Sequence, residues 1–512
     1  MAISRRDLIR WMGVACSALA MVPRLRANGS AAIQTYQPTR SSLRSYQVPE
    51  WFRDAKFGIW SHWGPQSAIE DGDWYARNMY IQGSDQYKYH VATYGSPSKV
   101  GYKDLVGNWT ASKWDPESLM GLYKKAGAKY FVSMGVHHDN FDLWDSRYTR
   151  WNSVKMGPKK DVVGMWRDAA LKHGLRFGVS EHLWISYKWF AVSHGADKTG
   201  PLATVSYDGT DPTFEDLYHD ADCARFVDHF EWNDDGIPEI WKRHYLDRMT
   251  DLIDRYHPDL LYTDGHLPFE EYGLKMVAHL LNVSATLHGG KTEAVYNSKD
   301  VSDCAIGTCV LDHERGVSDG IAINPWQTDT CIGQWHYKRG QEYKSSKKVI
   351  DMLVDIVSKN GNLLLNFPLP NSGELDPQEL RVLEGITAWM AINNEGIYES
   401  RPWKVYGEGP STKVKVDPGR FNEDKLKDLT EEDIRFTTKG RTIFAFVMGA
   451  PENVAVNALG LANVLNPGKI ANVELLGHRG EVVWKQENDA LRIQLPRAKV
   501  SDLGVTFKVS FA

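Results

Sequence analysis

The segment Asp259-Leu-Leu-Tyr-Thr-Asp-Gly-His266 places a carboxylate where a parallel strand could present it for chemistry. Its apolar run predicts a buried strand that ends at Asp264 and breaks at Gly265. A helical pattern precedes this strand at 239–256, which is typical of a βα unit. Because catalytic groups lie at the carboxyl ends of the strands in a parallel barrel, Asp264 is the first candidate for a catalytic residue.

Other polar side chains follow apolar runs in the same way. His62, the run His137-His138-Asp139 and Glu314 each stand at the end of a strand-like pattern. Parallel strands end at one edge of a sheet, so these groups are expected to gather around Asp264. The 19 Trp and 23 Tyr residues could add an aromatic wall to such a pocket, although most of them are expected in the core.

Strand and helix patterns alternate up to about residue 400, which predicts a (β/α)8 barrel over residues 31–400. The strand patterns lie at 56–64, 129–135, 175–182, 259–264, 293–297, 309–314, 330–335 and 362–367. The helical patterns lie at 115–127, 161–173, 239–256, 269–286, 347–357 and 377–394. Residues 183–238 lack periodicity, and a segment of that length is expected to be functional or mobile and to overhang the site.

Beyond residue 400 the pattern changes to short alternating runs between Gly, Pro, Asn and Asp residues. Such runs lie at 442–447, 473–476, 481–484, 491–495 and 505–511. They predict an antiparallel β-sandwich over residues 401–512. We expect this part to be an accessory domain with little or no catalytic content.

The charge balance and the first residues indicate where the chain works. A net charge of -5 and a pI near 6.4 provide no basic field, so nucleic acid is not an expected partner. Arg5-Arg6 precede an apolar run at 11–22, which predicts a twin-arginine export signal over residues 1–30. The run is too short to span a bilayer, so no membrane attachment is expected after cleavage. The predicted location is therefore the periplasm or the medium.

Four cysteines remain beyond the predicted signal: Cys223, Cys304, Cys309 and Cys331. In an oxidising compartment they could form one or two disulfides, and their spacing leaves the pairing open. Their spacing with each other and with histidine is not that of a zinc site, so neither a metal nor another cofactor is predicted. The sequence has no pattern that fixes an oligomeric state.

Several longer motifs resemble the α-L-fucosidases of glycoside hydrolase family 29. In chain order they are Trp51-Phe-Arg-Asp-Ala-Lys-Phe-Gly-Ile-Trp-Ser-His-Trp-Gly-Pro65, Trp74-Tyr-Ala-Arg-Asn-Met-Tyr80, Gly127-Ala-Lys-Tyr-Phe131, His137-His-Asp-Asn-Phe-Asp-Leu-Trp-Asp-Ser146 and Asn360-Gly-Asn-Leu-Leu-Leu-Asn366. The resemblance implies a barrel followed by a β-sandwich. It also implies an exo-acting, retaining enzyme that removes terminal α-L-fucosyl residues from a fucosylated oligosaccharide or polysaccharide.

The resemblance further implies that Asp264, in Tyr262-Thr-Asp-Gly265, is the nucleophile that forms a glycosyl-aspartate intermediate. Retaining hydrolysis needs a second carboxyl group about 5–5.5 Å away, which protonates the leaving oxygen and then deprotonates water. Glu314 is the predicted acid/base residue. Glu293 is the second choice and Asp312 the third.

The predicted substrate-binding residues are those that match, or stand in for, sugar-contacting positions of the family: His62, Asp73, Trp74, His137, His138, Tyr262 and Lys299. Asp73 stands where Glu is frequent, Tyr262 where Trp is usual, and Lys299 in the place of an Arg. We expect these departures to affect which sugar is bound more than which reaction is catalysed. A related sugar with one added hydroxyl group is a candidate, because a pocket discriminates weakly against such an addition. An α-L-galactoside is therefore the alternative substrate.

Two other classes of function compete with this prediction. A metal-dependent hydrolase could use His62, His137, His138, Asp139 and Asp264 as ligands. Adjacent His137 and His138 cannot easily point at one ion, which counts against it. A non-catalytic fucose-binding protein would fit if the two carboxylates proved to lie far apart.

Overall fold

A computed structural model describes residues 35–305, 307–414, 419–426, 428–496 and 501–512, so the predicted export signal lies outside the described residues. Eight parallel strands form one sheet in the order β6-β5-β4-β3-β2-β1-β8-β7. They are β1 (Phe57–Ser61), β2 (Tyr130–Val136), β3 (Arg176–Glu181), β4 (Leu260–Thr263), β5 (Val295–Ser298), β6 (Val310–Leu311), β7 (Trp326–Cys331) and β8 (Gly361–Asn366).

The sheet curls until its two edges meet. Asp312 and Gln327 form a parallel bridge between the end of β6 and β7, and the His313 backbone N–H donates to the Gln327 carbonyl at 2.9 Å. The ring of eight strands confirms the predicted barrel. Because β6 has only two residues, the contact that closes the ring between β6 and β7 is short.

The predicted strand at 330–335 is wrong in its position, since β7 begins at Trp326. The reason is that β7 is built from Gln, Thr and Asp side chains that are fully buried. These groups bond to one another and to neighbours inside the barrel. Gln327, for example, accepts from the Tyr130 hydroxyl at 2.8 Å and donates to Asp312 at 2.7 Å. A strand without apolar alternation is not visible to a hydrophobic pattern.

Helices surround the barrel where helical spacing predicted them. The described α-helices are α1 (Arg40–Leu43), α2 (Glu50–Ala55), α3 (Tyr75–Asn78), α4 (Asp85–Thr93), α5 (Tyr102–Leu105), α6 (Pro116–Lys125), α7 (Val162–Lys172), α8 (Ser186–Trp189), α9 (Glu215–Tyr218), α10 (Glu239–Tyr256), α11 (Glu271–Leu287), α12 (Val301–Ala305), α13 (Ser346–Ser358) and α14 (Pro377–Asn393). Asp115 caps α6 by accepting from the N–H groups of Glu117 and Ser118. Among the described residues, no helix is long and apolar enough to cross a membrane.

Residues 183–238 fold into single turns of helix rather than into long elements. Their side chains are nevertheless packed, since Trp184, Trp189, Phe190 and Tyr218 are all buried. Turns this short are fixed by tertiary packing instead of by helical periodicity, which explains why the periodicity fades in this stretch.

The chain after the barrel forms two antiparallel sheets, which confirms the predicted β-sandwich. One sheet has the order β13-β16-β11-β10-β9 and the other β12-β15-β14. The strands are β9 (Arg401–Glu408), β10 (Ile434–Lys439), β11 (Thr442–Val447), β12 (Asn453–Val456), β13 (Ile470–Leu475), β14 (Val483–Gln486), β15 (Leu491–Gln494) and β16 (Val505–Phe511). Phe436, Leu491 and Phe507 belong to the separate core that these sheets enclose.

Cys304 and Cys309 form a disulfide between α12 and β6. Cys223 and Cys331 are free and buried. One disulfide is thus present among the described residues, within the range that the cysteine count allowed.

Candidate active site

A cavity of about 560 Å³ opens at the carboxyl ends of the barrel strands. Its wall combines carboxylates, imidazoles, one lysine and indole rings. The lining residues are Trp60, His62, Asp73, Trp74, His137, His138, His182, Trp184, Trp232, Asp264, Gly265, His266, Lys299, Asp300, Glu314, Asp329, Trp335, Arg420 and Phe421. Its size lies within the range of small-molecule sites.

Asp264 follows β4 directly, and both its backbone N–H and its backbone carbonyl are hydrogen-bonded. Its N–H donates to the Glu181 carbonyl at 3.1 Å, and its own carbonyl accepts from Trp184 Nε1 at 2.6 Å. Gly265 follows at φ 139°, where a Cβ atom would lie 2.7 Å from the Trp184 ring. Glycine is therefore required at this position, and the turn that it permits presents the Asp264 carboxylate to the cavity.

Three cationic or hydrogen-bonding side chains surround the Asp264 carboxylate. Oδ2 lies 3.0 Å from His182 Nδ1 and 3.3 Å from His138 Nε2, and Oδ1 contacts the Lys299 ammonium. Burial by itself raises the pKa of this carboxyl, but Lys299, His182 and His138 outweigh it and hold the pKa well below its usual range. Asp264 is thus ionised at any pH near neutrality, as a nucleophile must be.

Lys299 also reaches the second carboxylate. Its Nζ lies 2.6 Å from Glu314 Oε2 and 3.8 Å from Asp329 Oδ2. Burial is the largest factor that raises the pKa of Glu314 to about 7; Lys299 opposes it, and the charges of Asp264 and Asp329 reinforce it. A carboxyl group with such a pKa carries its proton during part of the neutral range, which is the property of a general acid.

Beneath this pair, carboxylates and one phenol form a buried polar layer. Tyr262 donates its hydroxyl to Asp329 Oδ2 at 2.9 Å, inside the barrel. Burial and the neighbouring Asp329 raise the pKa of Asp312 well above its usual range. The hydrogen bond from Tyr262 fixes the position of Asp329. The Asp329 carboxylate thus adds a further negative charge near Lys299, beside those of Asp264 and Glu314.

A cluster of imidazoles that includes His62 and His137 also lines the cavity. Burial, reinforced by neighbouring histidines, holds the pKa of His62 and His137 well below the ordinary value, so both rings are neutral. Gln66 bonds His137 Nδ1 at 2.8 Å, and Asp73 Oδ1 lies 2.6 Å from His336 Nδ1. Both nitrogens of His62 have no hydrogen-bond partner among the described residues, so they are available to hydroxyl groups.

The same cluster could also hold a metal ion. His62, Asp73, His137 and His336 each offer a ligand atom, and these atoms lie within 4.8 Å of one another. They are not the ligand set proposed from the sequence, since Asp139 is buried outside the cavity wall and accepts from the Tyr102 hydroxyl at 2.5 Å.

Indole rings close the cavity around the imidazoles. Trp74 lies 6.1 Å from His138 and 5.8 Å from Trp232, measured between ring centroids. Its backbone is left-handed, with φ 61°, a conformation that bulky residues rarely adopt and that packing must hold. Trp232 in turn lies 6.1 Å from Trp184, and both belong to the stretch 183–238 that was expected to overhang the site.

The structure brings most of the predicted site residues to this one cavity. Those that line it are His62, Asp73, Trp74, His137, His138, Asp264, Lys299 and Glu314. Tyr262 does not line it; it lies one layer below and contacts Asp329. Asp312, the third choice for the acid/base residue, lies in the same layer, where its side chain accepts from Gln327 at 2.7 Å.

Glu293, the second choice for the acid/base residue, lies at the other end of the barrel. It precedes β5 and pairs with Arg176, the first residue of β3, at 3.3 Å. The amino end of β3 is opposite the edge where Asp264 lies, so Glu293 does not belong to the cavity.

Sequence reasoning missed several lining residues. Trp335 comes from the loop after β7, whose position was mispredicted, and His336 of the same loop contacts the lining residue Asp73. Arg420 and Phe421 also line the cavity, and they come from the C-terminal part, for which little or no catalytic content is predicted. Residues 410–430 interrupt the alternating pattern of the sandwich strands. This interruption is the signal in the sequence that could have drawn attention to the segment.

Comparison with known proteins agrees with this architecture. The family model described as "Alpha-L-fucosidase" matches residues 25–395, and that of the "Alpha-L-fucosidase C-terminal domain" matches residues 426–511. The chain belongs to the α-L-fucosidase family. It is therefore a glycoside hydrolase.

Relatives of known sequence and structure cover nearly the whole chain. The tissue α-L-fucosidases of rat and human are each 27% identical to it, over 95% and 92% of this chain and 94% and 90% of their own length. The crystal structure of Thermotoga maritima α-fucosidase superimposes with a TM-score of 0.69 at 26% identity, covering 93% of this chain and 100% of that one. Its complex with fucose gives 0.68 at 27% identity, over 92% and 99%.

Proposed function

We propose that this α-L-fucosidase family member removes terminal α-L-fucosyl residues from glycans with retention of configuration, through a covalent bond to Asp264. The observation that carries the proposal is the shared contact of Lys299 with both carboxylates. Since both oxygens contact one Nζ atom, they lie within about 5 Å of each other, close to the separation that retaining glycosidases use. A binding protein without turnover has no need of this pair.

In the first step, an Asp264 oxygen attacks the anomeric carbon of the fucosyl group. The bond between that carbon and the glycosidic oxygen breaks, and the leaving oxygen takes the proton of Glu314. The products are a fucosyl ester of Asp264, a Glu314 carboxylate and the free alcohol of the remaining glycan. The low pKa of Asp264 and the raised pKa of Glu314 provide the protonation states with which this step begins.

In the second step, water attacks the same carbon from the side that the alcohol has left. Glu314 takes a proton from this water, the ester bond to Asp264 breaks, and free fucose with its original configuration is released. The ammonium of Lys299 lies between the two groups during both steps and compensates the negative charge that moves from one carboxylate to the other.

The remaining cavity residues are proposed to bind the sugar. The neutral ring of His62, whose two nitrogens have no partner among the described residues, can donate and accept a hydrogen bond, and His137 offers Nε2 while Gln66 occupies its Nδ1. Trp74 offers an apolar wall, and Asp73, held by His336, can accept from a hydroxyl. Because the barrel closes the cavity from below, the sugar enters as a chain end, which supports an exo-acting enzyme.

Trapping with a 2-deoxy-2-fluoro-fucosyl reagent bearing a good leaving group tests this proposal. The fluorine slows both steps and the leaving group restores the first, so the ester should accumulate. Mass spectrometry of peptides should place one fucosyl label on Asp264, and proton NMR of turnover on an aryl α-L-fucoside should show the α-anomer first. A label on another residue, or a β-anomer formed first, would overturn the assignment.

We also propose that the chain is exported through its twin-arginine segment. The disulfide between Cys304 and Cys309 supports an oxidising compartment, where such bonds persist. Replacing Arg5 and Arg6 with lysine should retain the protein in the cytoplasm of its bacterial host, which fractionation and immunoblotting would measure. Unchanged export would contradict this location.

A further inference from the structure

A short segment of the C-terminal part, residues 419–426, lies against the loop that carries Glu314. The Phe421 N–H donates to the Glu314 carbonyl at 2.8 Å, and the N–H groups of Asn422 and Glu423 donate to the Arg315 carbonyl at 3.0 and 2.9 Å. The loop also donates to the segment, since the Val317 N–H donates to Asn422 Oδ1 at 3.0 Å. The backbone of this segment thus has a defined position beside the predicted acid/base residue.

Glu423 anchors the segment in the barrel. Its side chain is 2% exposed and accepts from the Thr330 hydroxyl at 2.7 Å and from Lys344 at 3.0 Å, while Arg315 lies 3.3 Å away. A carboxylate so buried is stable only when it is paired in this way. The neighbouring Phe421 therefore stands on a fixed support rather than on a free loop.

Phe421 itself is 62% exposed although it lines the cavity. Trp232, on the wall beside Trp184 and His138, is 49% exposed. Two large aromatic side chains that are held in place at one cavity and left uncovered indicate a binding surface for a ligand with an apolar face.

The reaction determines which part of the substrate meets Phe421. Glu314 has to reach the glycosidic oxygen, so the alcohol that leaves lies on the Glu314 side of the cavity. We propose that Phe421 is the platform on which the first sugar of the leaving group stacks, with Trp232 as a second contact at the cavity mouth. This inference rests on the proposed function and extends it to the leaving-group sugar, which no residue of the sugar pocket described above would hold.

The adjacent Arg420 provides a contrasting case. Its guanidinium donates to the Lys299 backbone carbonyl, so it supports the lysine that both carboxylates share. Arg420 is a positioning residue, and its loss should affect every substrate. Phe421 bonds to Glu314 only through its backbone N–H, which an alanine substitution keeps, so its side chain should matter only when a leaving-group sugar is present.

The test compares kcat/KM of Phe421→Ala on a fucosylated oligosaccharide and on α-L-fucosyl fluoride, whose leaving group is a single atom. We expect a loss of about 5- to 10-fold on the oligosaccharide, the size of one aromatic contact, and no change on the fluoride. Phe421→Trp should retain activity on both. Arg420→Ala should reduce both to the same extent and displace the pH profile.

Tyr148→Ala is the matched control, because Tyr148 is a similarly exposed aromatic residue at 43% that does not line the cavity. It should leave both substrates unchanged. An unchanged oligosaccharide rate in Phe421→Ala, or an equal loss on both substrates, would overturn the inference while the proposed function stands. Failure of the unaltered enzyme to hydrolyse the fluoride would overturn the proposed function itself and the inference with it.

Discussion

The Lys299 ammonium lies 2.6 Å from Glu314 Oε2 while it also contacts Asp264, so one buried cation contacts both carboxylates. Burial, opposed by Lys299, raises the pKa of Glu314 to about 7, whereas Lys299 and two histidines bring the pKa of Asp264 well below its usual range. At neutral pH the two groups together hold at most one proton, and it resides on Glu314.

The pH dependence of kcat/KM should follow from this arrangement. Activity is expected to fall as the pH rises through about 7, because Glu314 then loses the proton that it has to donate. Lys299 lowers the pKa of both carboxyls, so Lys299→Met should move both limbs of the profile to higher pH. The measurement is kcat/KM on an aryl α-L-fucoside across the acid and alkaline ranges.

Lys299→Arg is the matched variant for this prediction. It keeps the positive charge and should leave both limbs near their original positions, although the rate itself is expected to fall because the guanidinium has another shape. If Lys299→Met left the limbs where they were, the ammonium would not control these protonation states.

Asp264→Ala should reduce kcat on the order of 10⁴-fold while fucose still binds, because the substitution removes the attacking oxygen and leaves the imidazole cluster in place. Turnover of an aryl fucoside and calorimetric binding of fucose provide the two readouts. Asp259→Asn, at the other end of β4, is the control and should keep turnover. A variant of Asp264 with an unchanged rate would remove this residue from the mechanism.

Glu314→Ala should impair substrates with poor leaving groups most. General acid catalysis contributes roughly 10²–10⁴-fold, and an activated aryl leaving group needs little of it. The measurement is kcat/KM on aryl fucosides of graded leaving-group pKa, with azide added to intercept the ester. Glu293→Ala, at the opposite end of the barrel, should show no such gradient. An equal loss on all substrates in Glu314→Ala would assign the acid/base role to another residue.

Activity should survive prolonged dialysis against EDTA, because we assign the cluster of His62, Asp73, His137 and His336 to sugar hydroxyls. His336→Ala should raise KM for the fucoside by about tenfold through the lost support of Asp73. Steady-state kinetics before and after dialysis measure both effects. A loss of activity that added Zn²⁺ restores would instead favour the metal-dependent alternative.

Strands and helices with an apolar pattern could be predicted from the sequence, and parts fixed by polar contacts between residues distant in sequence could not. The apolar run before Asp264 predicts β4 because its side chains are buried in the core. β7 was misplaced because its buried Gln327 and Asp329 bond to partners that lie on other strands. The same is true of Phe421, whose neighbour Glu314 is over a hundred residues away in the chain.

Hydrogen bonds between residues 419–426 and the loop of Glu314 join the C-terminal part of the chain to the barrel. A shortened chain that stopped at residue 400 would retain Asp264 and its neighbours His138, His182 and Lys299. It would lose the hydrogen bond that fixes the Glu314 carbonyl and the carboxylate that secures Arg315. The C-terminal part could thus be neither deleted nor exchanged without altering the support of the loop that carries Glu314.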